Sequence, residues 1–350
     1  MRIGLAAELT GRSGELGVEA RNGAELAVQV INEQGGINGR QIELLVRDDR
    51  GDPEIAWQVD RDLIEHDVVA IIGHITSGQT MAVVEKMNEA GVVLISPTSS
   101  TSELSAQQDF FFRVMPNNEW IGQSLARYAY RTLHLGQVCG IYDLGNRAFA
   151  ETLWLSVEAE YRKIGGQSDC SFPFTSGETD LQDLMVQVAA AQPEAVFFVA
   201  SAIDTALLAQ YGRQQGLNAI YLSSTWAQTN ELFEKGGQAV EGIVMVATYD
   251  PQSPDPAYQA FVALYEERFG REPRLGASHT YEAVLVLAHA LEQTGGRAEG
   301  LPDALVSIRD LPGVQGSITI DEYGDVKREI YVVRAENGVF RVVDTIFPDE

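Results

Sequence analysis

At 350 residues, 45% of them apolar and 21% charged, the chain is long enough for two globular domains, each with its own core. Its 50 Asp and Glu against 25 Lys and Arg leave a net charge of −25, which argues against nucleic-acid binding and against an anionic membrane surface as partners. No apolar run reaches the roughly 18–20 residues that span a bilayer, so no direct membrane insertion is expected.

In chain order, strands alternate with helices. Met1-Arg2 passes at once into Ile3–Ala7, which reads as a strand and not as a secretory leader. The protein is then either cytosolic or exported with its leader removed. A polar loop spans 8–17. The helix after it carries Ala24, Leu26, Ala27, Val30 and Ile31 on one face and ends at Gln34-Gly35-Gly36, where glycine suits a left-handed cap. Ile42–Val46 is the second strand, closed by the turn-rich Asp48-Asp49-Arg50-Gly51-Asp52-Pro53, and another helix follows. Two wholly apolar runs come next, as expected of buried parallel strands.

After 110–114 the alternation restarts: helix 119–133, strand Val138–Tyr142, helix 148–163, strand 170–174, helix 180–191, strand Ala195–Val199, helix 204–216 and strand Ile220–Leu222. Ile243–Ala247 is a further strand, and the proline-rich 249–256 reads as a crossing. Helices 257–269 and 276–294, an extended 316–321 and a hairpin over 329–343 complete the chain. The pattern predicts an α/β protein with parallel sheets flanked by helices. Residues 1–118 with 250–327 are expected to form lobe 1, and 119–249 with 328–350 lobe 2.

The two apolar runs end alike. Val68–Gly73 leads into His74-Ile75-Thr76-Ser77-Gly78-Gln79-Thr80, and Val92–Ile95 into Ser96-Pro97-Thr98-Ser99-Ser100-Thr101-Ser102. Ligands of open α/β sheets sit at the carboxyl ends of strands, and free N–H groups at a helix start attract a negative group. Hydroxyls at both junctions, with no strong acid or base beside them, predict a carboxylate cradle from Ser77, Thr98, Ser99 and Ser100. Taken singly, each is equally an ordinary helix cap.

Catalysis has little support, and no enzyme is expected. There is no G-x-S-x-G elbow, P-loop or H-E-x-x-H, and Gly35-Gly36-Ile37-Asn38-Gly39 follows a helix, so it reads as a turn. His66, His74, His134, His279 and His289 make no ligand spacing. His74 alone falls at the candidate site, where it is expected to support the loop by hydrogen bonding. Asp48, Asp49 and Asp52 suggest calcium, but Pro53 and the absent ligand spacing favour a polar turn. Neither metal nor cofactor is expected. Cys139 and Cys170 fall on strands that would be neighbours; two core thiols are expected, with a disulfide as the alternative.

Several segments together resemble the type I periplasmic binding proteins of the leucine/isoleucine/valine-binding family. They are Ala24-Glu25-Leu26-Ala27 with Ile31-Asn32-Glu33-Gln34-Gly35-Gly36-Ile37-Asn38-Gly39-Arg40, Arg47-Asp48-Asp49 with Asp52-Pro53, Gly73-His74 with Ser77, and Ile95-Ser96-Pro97. Asp143-Leu144-Gly145-Asn146-Arg147-Ala148-Phe149 is similar to that family's loop after the first strand of lobe two, and Asp321-Glu322-Tyr323-Gly324-Asp325 to its last crossing. The resemblance spans essentially the whole chain. It implies two doubly wound parallel-sheet lobes joined by three hinge crossings. Such lobes close over a small solute, which passes to the membrane permease of an ABC transporter from a periplasmic or extracellular location. By position, it implies that Ser77 binds the solute's α-carboxylate, that the carbonyl of Thr98 accepts from its amino group, and that Ser100, replacing a threonine, contacts both.

Lobe 2 departs from that pattern. Ser201 stands where amino-acid binders carry an aromatic, and the glutamate that pairs with the ammonium falls at Thr225, followed by Trp226. Asp204 and Glu15 are candidate substitutes, although Asp204 equally suits first-turn stabilisation of its own helix. Trp226 is an aromatic wall for an apolar ligand portion or a core residue, and Phe149 takes the place of a tyrosine lining the cleft. Arg12 is expected to meet a second carboxylate or a carbonyl, or else to be a solvated loop residue. Tyr281 reaches the pocket or packs its helix on the core. The expected solute is a branched-chain or related amino acid, with an aromatic carboxylate as the rival. The alternative function is a cytosolic amide or amino-acid sensor of the same fold controlling a regulatory partner.

Overall fold

A strand covered by helices on both faces must be apolar throughout, and Ala195–Val199 (AVFFV) is buried at every position. The computed structural model describes residues 1–348, and all counts below refer to these; 349 and 350, assigned above to lobe 2, lie outside them. In chain order the elements are β1 (Arg2–Ala7), α1 (Gly14–Glu33), β2 (Glu43–Asp48), α2 (Pro53–Glu65), β3 (Ile71–Ile72), α3 (Ser77–Ala90), β4 (Leu94–Ser96) and β5 (Phe111–Arg113). Then come α4 (Asn118–Arg131), β6 (Gln137–Asp143), α5 (Arg147–Lys163), β7 (Gln167–Phe174), α6 (Leu181–Ala191), β8 (Ala195–Val199) and α7 (Ala202–Gln214). They are followed by β9 (Ile220–Ser223), α8 (Asn230–Gly236), β10 (Val244–Ala247), α9 (Pro256–Phe269), α10 (Leu275–Gln293) and α11 (Leu301–Val306). The last are β11 (Leu311–Gly313), β12 (Gly316–Ile318), β13 (Ile330–Glu336) and β14 (Val339–Ile346).

The chain divides into two compact units, Met1–Asn117 with Ser253–Arg328, and Asn118–Gln252 with the chain from Glu329 onward. It therefore passes from one unit to the other three times. The first unit holds a parallel five-stranded sheet in the order β2-β1-β3-β4-β5. Successive strands are added on opposite sides of β1, which makes the β1/β3 boundary a switch point. Ala6, Leu63, Ile71, Val83, Met87, Leu94 and Phe111 meet in the core between this sheet and its helices. Helices α1 and α10 approach closely enough that a methyl group on Gly23 would overlap the carbonyl of Ala277, and one on Gly276 would crowd that of Leu16. A small antiparallel ribbon, β11–β12, completes the unit.

The second unit repeats the plan without repeating the sequence. Strands β7-β6-β8-β9-β10 are parallel, with the switch between β6 and β8; β13 extends the sheet antiparallel to β10, and β14 pairs antiparallel to β13 at the edge. The hairpin turns at Asn337-Gly338, both with positive φ, as a two-residue turn requires. Helix starts follow local chemistry: Asp52, Asp180 and Asp255 accept hydrogen bonds from the first free amides of α2, α6 and α9, with Pro53 and Pro256 in the first turn of α2 and α9.

Two expectations need correcting. Helix α1 starts at Gly14, inside the segment read as a loop, because the Glu8 carboxylate accepts from the Ser13 amide and the Ser13 carbonyl from the Gly17 amide. Cys139 and Cys170 are not two core thiols but a disulfide between directly opposed residues of β6 and β7.

Candidate functional site

In the first unit, the carboxyl ends of β3 and β4 form one hydrogen-bonded structure. Ser77, 1% exposed, opens α3, and its Oγ accepts from the backbone N–H groups of Ser100 and Thr101, each at 3.3 Å. Thr98 Oγ1 donates to the Ile75 carbonyl (2.5 Å), and Ser96 Oγ donates to the His74 carbonyl (2.7 Å) while accepting from the Ser99 amide (2.9 Å). Ser99 Oγ lies between the Thr80 hydroxyl at 2.5 Å and the His74 carbonyl at 3.3 Å. Ser77 and Ser100 are thus brought together, whereas the hydroxyls of Thr98 and Ser99 are engaged in holding the two junctions to each other. Gly73, with φ 143°, lies so close to β1 that a Cβ there would overlap the Ala6 carbonyl.

Behind this mouth sits a buried charge cluster. His74 Nδ1 is 2.6 Å from Asp49 Oδ2, and its Nε2 is 3.1 Å from Asp60 Oδ2, all three side chains being sealed from solvent. Burial by itself would lower the imidazole pKa, but Asp60 and Asp49 outweigh it and push it up to about 10. His74 is therefore a fixed cation at neutral pH, tying the β3 mouth to the turn after β2 and to α2. The other turn acids are spoken for locally: Asp48 accepts from the amides of Leu9, Thr10 and Arg50, and Asp52 caps α2. Arg12 lies exposed in the loop before α1. Tyr281 is buried in α10 with its ring 4.8 Å from that of Phe261, as core packing requires.

In the second unit, Phe149 in the first turn of α5 meets Trp226 edge-on, with ring centroids 5.7 Å apart. Trp226 belongs to a 3-10 turn, Thr225–Ala227, that follows β9; Thr225 is buried and Trp226 partly exposed. At the end of β8, Ser201 caps α7 by accepting from the Asp204 amide (3.2 Å) and donates from Oγ to Asp204 Oδ2 (2.9 Å). Ser176 Oγ, just beyond β7, donates to the same carboxylate oxygen. Asp204 thus gathers two hydroxyls, a larger role than first-turn stabilisation. Asp143, closing β6, accepts from the amides of Gly145 and Ser176.

Sequence reasoning missed Ser176. Ser176 follows a strand's carboxyl end and was findable by the rule applied to β3 and β4.

The family model described as periplasmic binding protein matches residues 1–339. The chain belongs to the periplasmic binding protein family. It is accordingly a solute-binding component, not an enzyme. It is 28% identical to an amino acid binding protein of Pseudomonas aeruginosa, over 95% of this chain and 88% of that one. It is 26% identical to Leu/Ile/Val-binding protein homolog 1 of Brucella abortus, over 95% and 89%. Among solved structures, the leucine binding protein LivK of Thermotoga maritima superposes with a TM-score of 0.93 at 27% identity, covering 100% of this chain and 99% of that one. As in other type I periplasmic binding proteins, the two units are doubly wound α/β sheets.

Proposed function

We propose that this periplasmic binding protein captures a small amino acid, branched-chain or related, and hands it to the permease of an ABC importer outside the cytoplasm. The observation that carries the reading is Ser77 Oγ at the start of α3, joined to the amides of Ser100 and Thr101. A hydroxyl and clustered amides at the mouths of adjacent parallel strands suit an α-carboxylate. Thr225 leaves no carboxylate for an ammonium, so that role falls to Asp204, with Ser201 beside it, and the Phe149–Trp226 ring pair suits an apolar portion. The thiols Cys139 and Cys170, paired as a disulfide, support an oxidising compartment, as do the names of the relatives. Arg12 and Tyr281 hold peripheral places in this reading.

Calorimetric titration with leucine, isoleucine and valine tests it. Charge-assisted hydrogen bonds contribute roughly 1.5–3 kcal/mol each, so Ser77→Ala with Ser100→Ala is expected to lose at least about 3 kcal/mol of binding. Unchanged affinity refutes the cradle. One observation favours a second solute: two rings with a hydroxyl in place of a carboxylate at 225 also suit an aromatic carboxylate. A thermal-shift comparison of benzoate with leucine separates the two, since the ligand bound by the native state raises the melting temperature.

A further inference from the structure

The turn that follows β9 has unmet hydrogen-bonding capacity in its side chains. Gln228 is fully buried, yet neither its Oε1 nor its Nε2 has a partner among the described residues. Ser224 Oγ and Thr229 Oγ1, both buried, are unpaired as well. All three lie within residues 224–229, the stretch that also carries Thr225 and Trp226. Three backbone amides here are paired within the turn: that of Ala227 donates to the Ser224 carbonyl, that of Gln228 to Thr225 and that of Thr229 to Ala227. Buried side-chain amides are nearly always paired, so a group able to both donate and accept belongs beside this one.

The pattern of unmet groups selects that partner. Gln228 Oε1 can only accept and Nε2 can only donate. A carboxylate would satisfy the donor and leave the acceptor; an ammonium would do the reverse. A carboxamide meets both in one plane, and the unpaired hydroxyls of Ser224 and Thr229, in the same turn, can each donate or accept. We propose that Gln228, with Ser224 and Thr229, is a specificity-determining subsite for a neutral carboxamide on the solute. The inference rests on the reading that the mouth of the second unit handles solute, and it narrows the solute to an acid that also carries an amide.

Calorimetry on the full chain tests it with matched pairs. Asparagine and leucine differ by a carboxamide against an isopropyl group of similar size, as do 4-carbamoylbenzoate and 4-isopropylbenzoate. The carboxamide member of at least one pair is expected to bind tenfold or more tightly. Gln228→Leu, and independently Gln228→Glu, which keeps an acceptor but loses the donor, should abolish that preference with melting temperature unchanged. If leucine binds and asparagine binds no better, or if the preference survives both variants, the subsite is refuted while the amino-acid reading stands. If only 4-carbamoylbenzoate is preferred and no amino acid binds, the amino-acid reading falls and the subsite stands. If no carboxamide probe binds, or if Gln228 holds only an ordered water in a crystal of the loaded protein, the subsite is refuted.

Discussion

Replacing Glu19 with Gln is expected to stabilise the first unit, increasingly so as the pH rises. Glu19 lies on α1, 1% exposed, and neither carboxyl oxygen has a hydrogen-bond partner among the described residues. Burial, reinforced by Glu15 and only partly offset by the charges of Arg271 and Arg274, pushes its pKa up from 4.5 to about 8. Between those values the folded chain keeps a proton that the unfolded chain has lost. Wild-type stability therefore falls by about 1.4 kcal/mol for each pH unit in that window. A glutamine matches the neutral acid in shape and does not titrate. The variant should equal wild type near pH 4.5, exceed it by roughly 3 kcal/mol at pH 7 and by about 5 kcal/mol above pH 8. Hydrogen exchange at α1 amides, corrected for intrinsic rates, reads this without assuming that both units unfold in one step. A difference that stays constant across pH, or a variant less stable at pH 8, would refute the reasoning.

His74→Ala leaves Asp49 and Asp60 buried without their cation, and should cost about 3–5 kcal/mol by the same exchange measurement. In the wild type, the contribution of His74 is complete below its ordinary pKa of 6.5 and is lost as the pH rises through about 10, so alkaline titration should uncouple the β3 mouth. Cys139→Ala with Cys170→Ala should lower the stability of the second unit by about 3–4 kcal/mol, the entropy of a loop with a sequence separation of 31; an unchanged urea midpoint contradicts this. Gly23→Ala should destabilise by about 1–3 kcal/mol, because its methyl group meets the Ala277 carbonyl and α1 must move off α10; unchanged thermal unfolding would show that the helices yield freely.

What could be read from the residues followed period and burial. Strand β8, apolar at every position, has the same ends in the structure as in the sequence reading, because a strand covered on both faces leaves no polar position to blur them. The neighbouring of Ser77 and Ser100 was legible too, since consecutive parallel strands place their carboxyl ends side by side. Hydroxyl direction was not. Thr98 and Ser99 share the loop and chemistry of Ser100, yet their hydroxyls serve Ile75, Thr80 and His74. The disulfide depends on a register irregularity: β6 advances two residues from Gln137 to Cys139 while β7 advances three, from Gln167 to Cys170. Without that extra residue Cys139 would face Asp169. Helices α8 and α11, of seven and six residues, are too short to show a period.

The cross-link between β6 and β7 reaches beyond the strands it joins. β7 is the outermost strand of its sheet, hydrogen-bonded to a neighbour on one side alone, and Ser176, whose hydroxyl goes to Asp204, comes two residues after its end. With the bridge cut, nothing covalent keeps that border strand from fraying, and Asp204 would lose one of its two hydroxyl donors as the strand peels. Reducing that bridge would thus reach the acid at the head of α7 from a distance, with no residue around it altered.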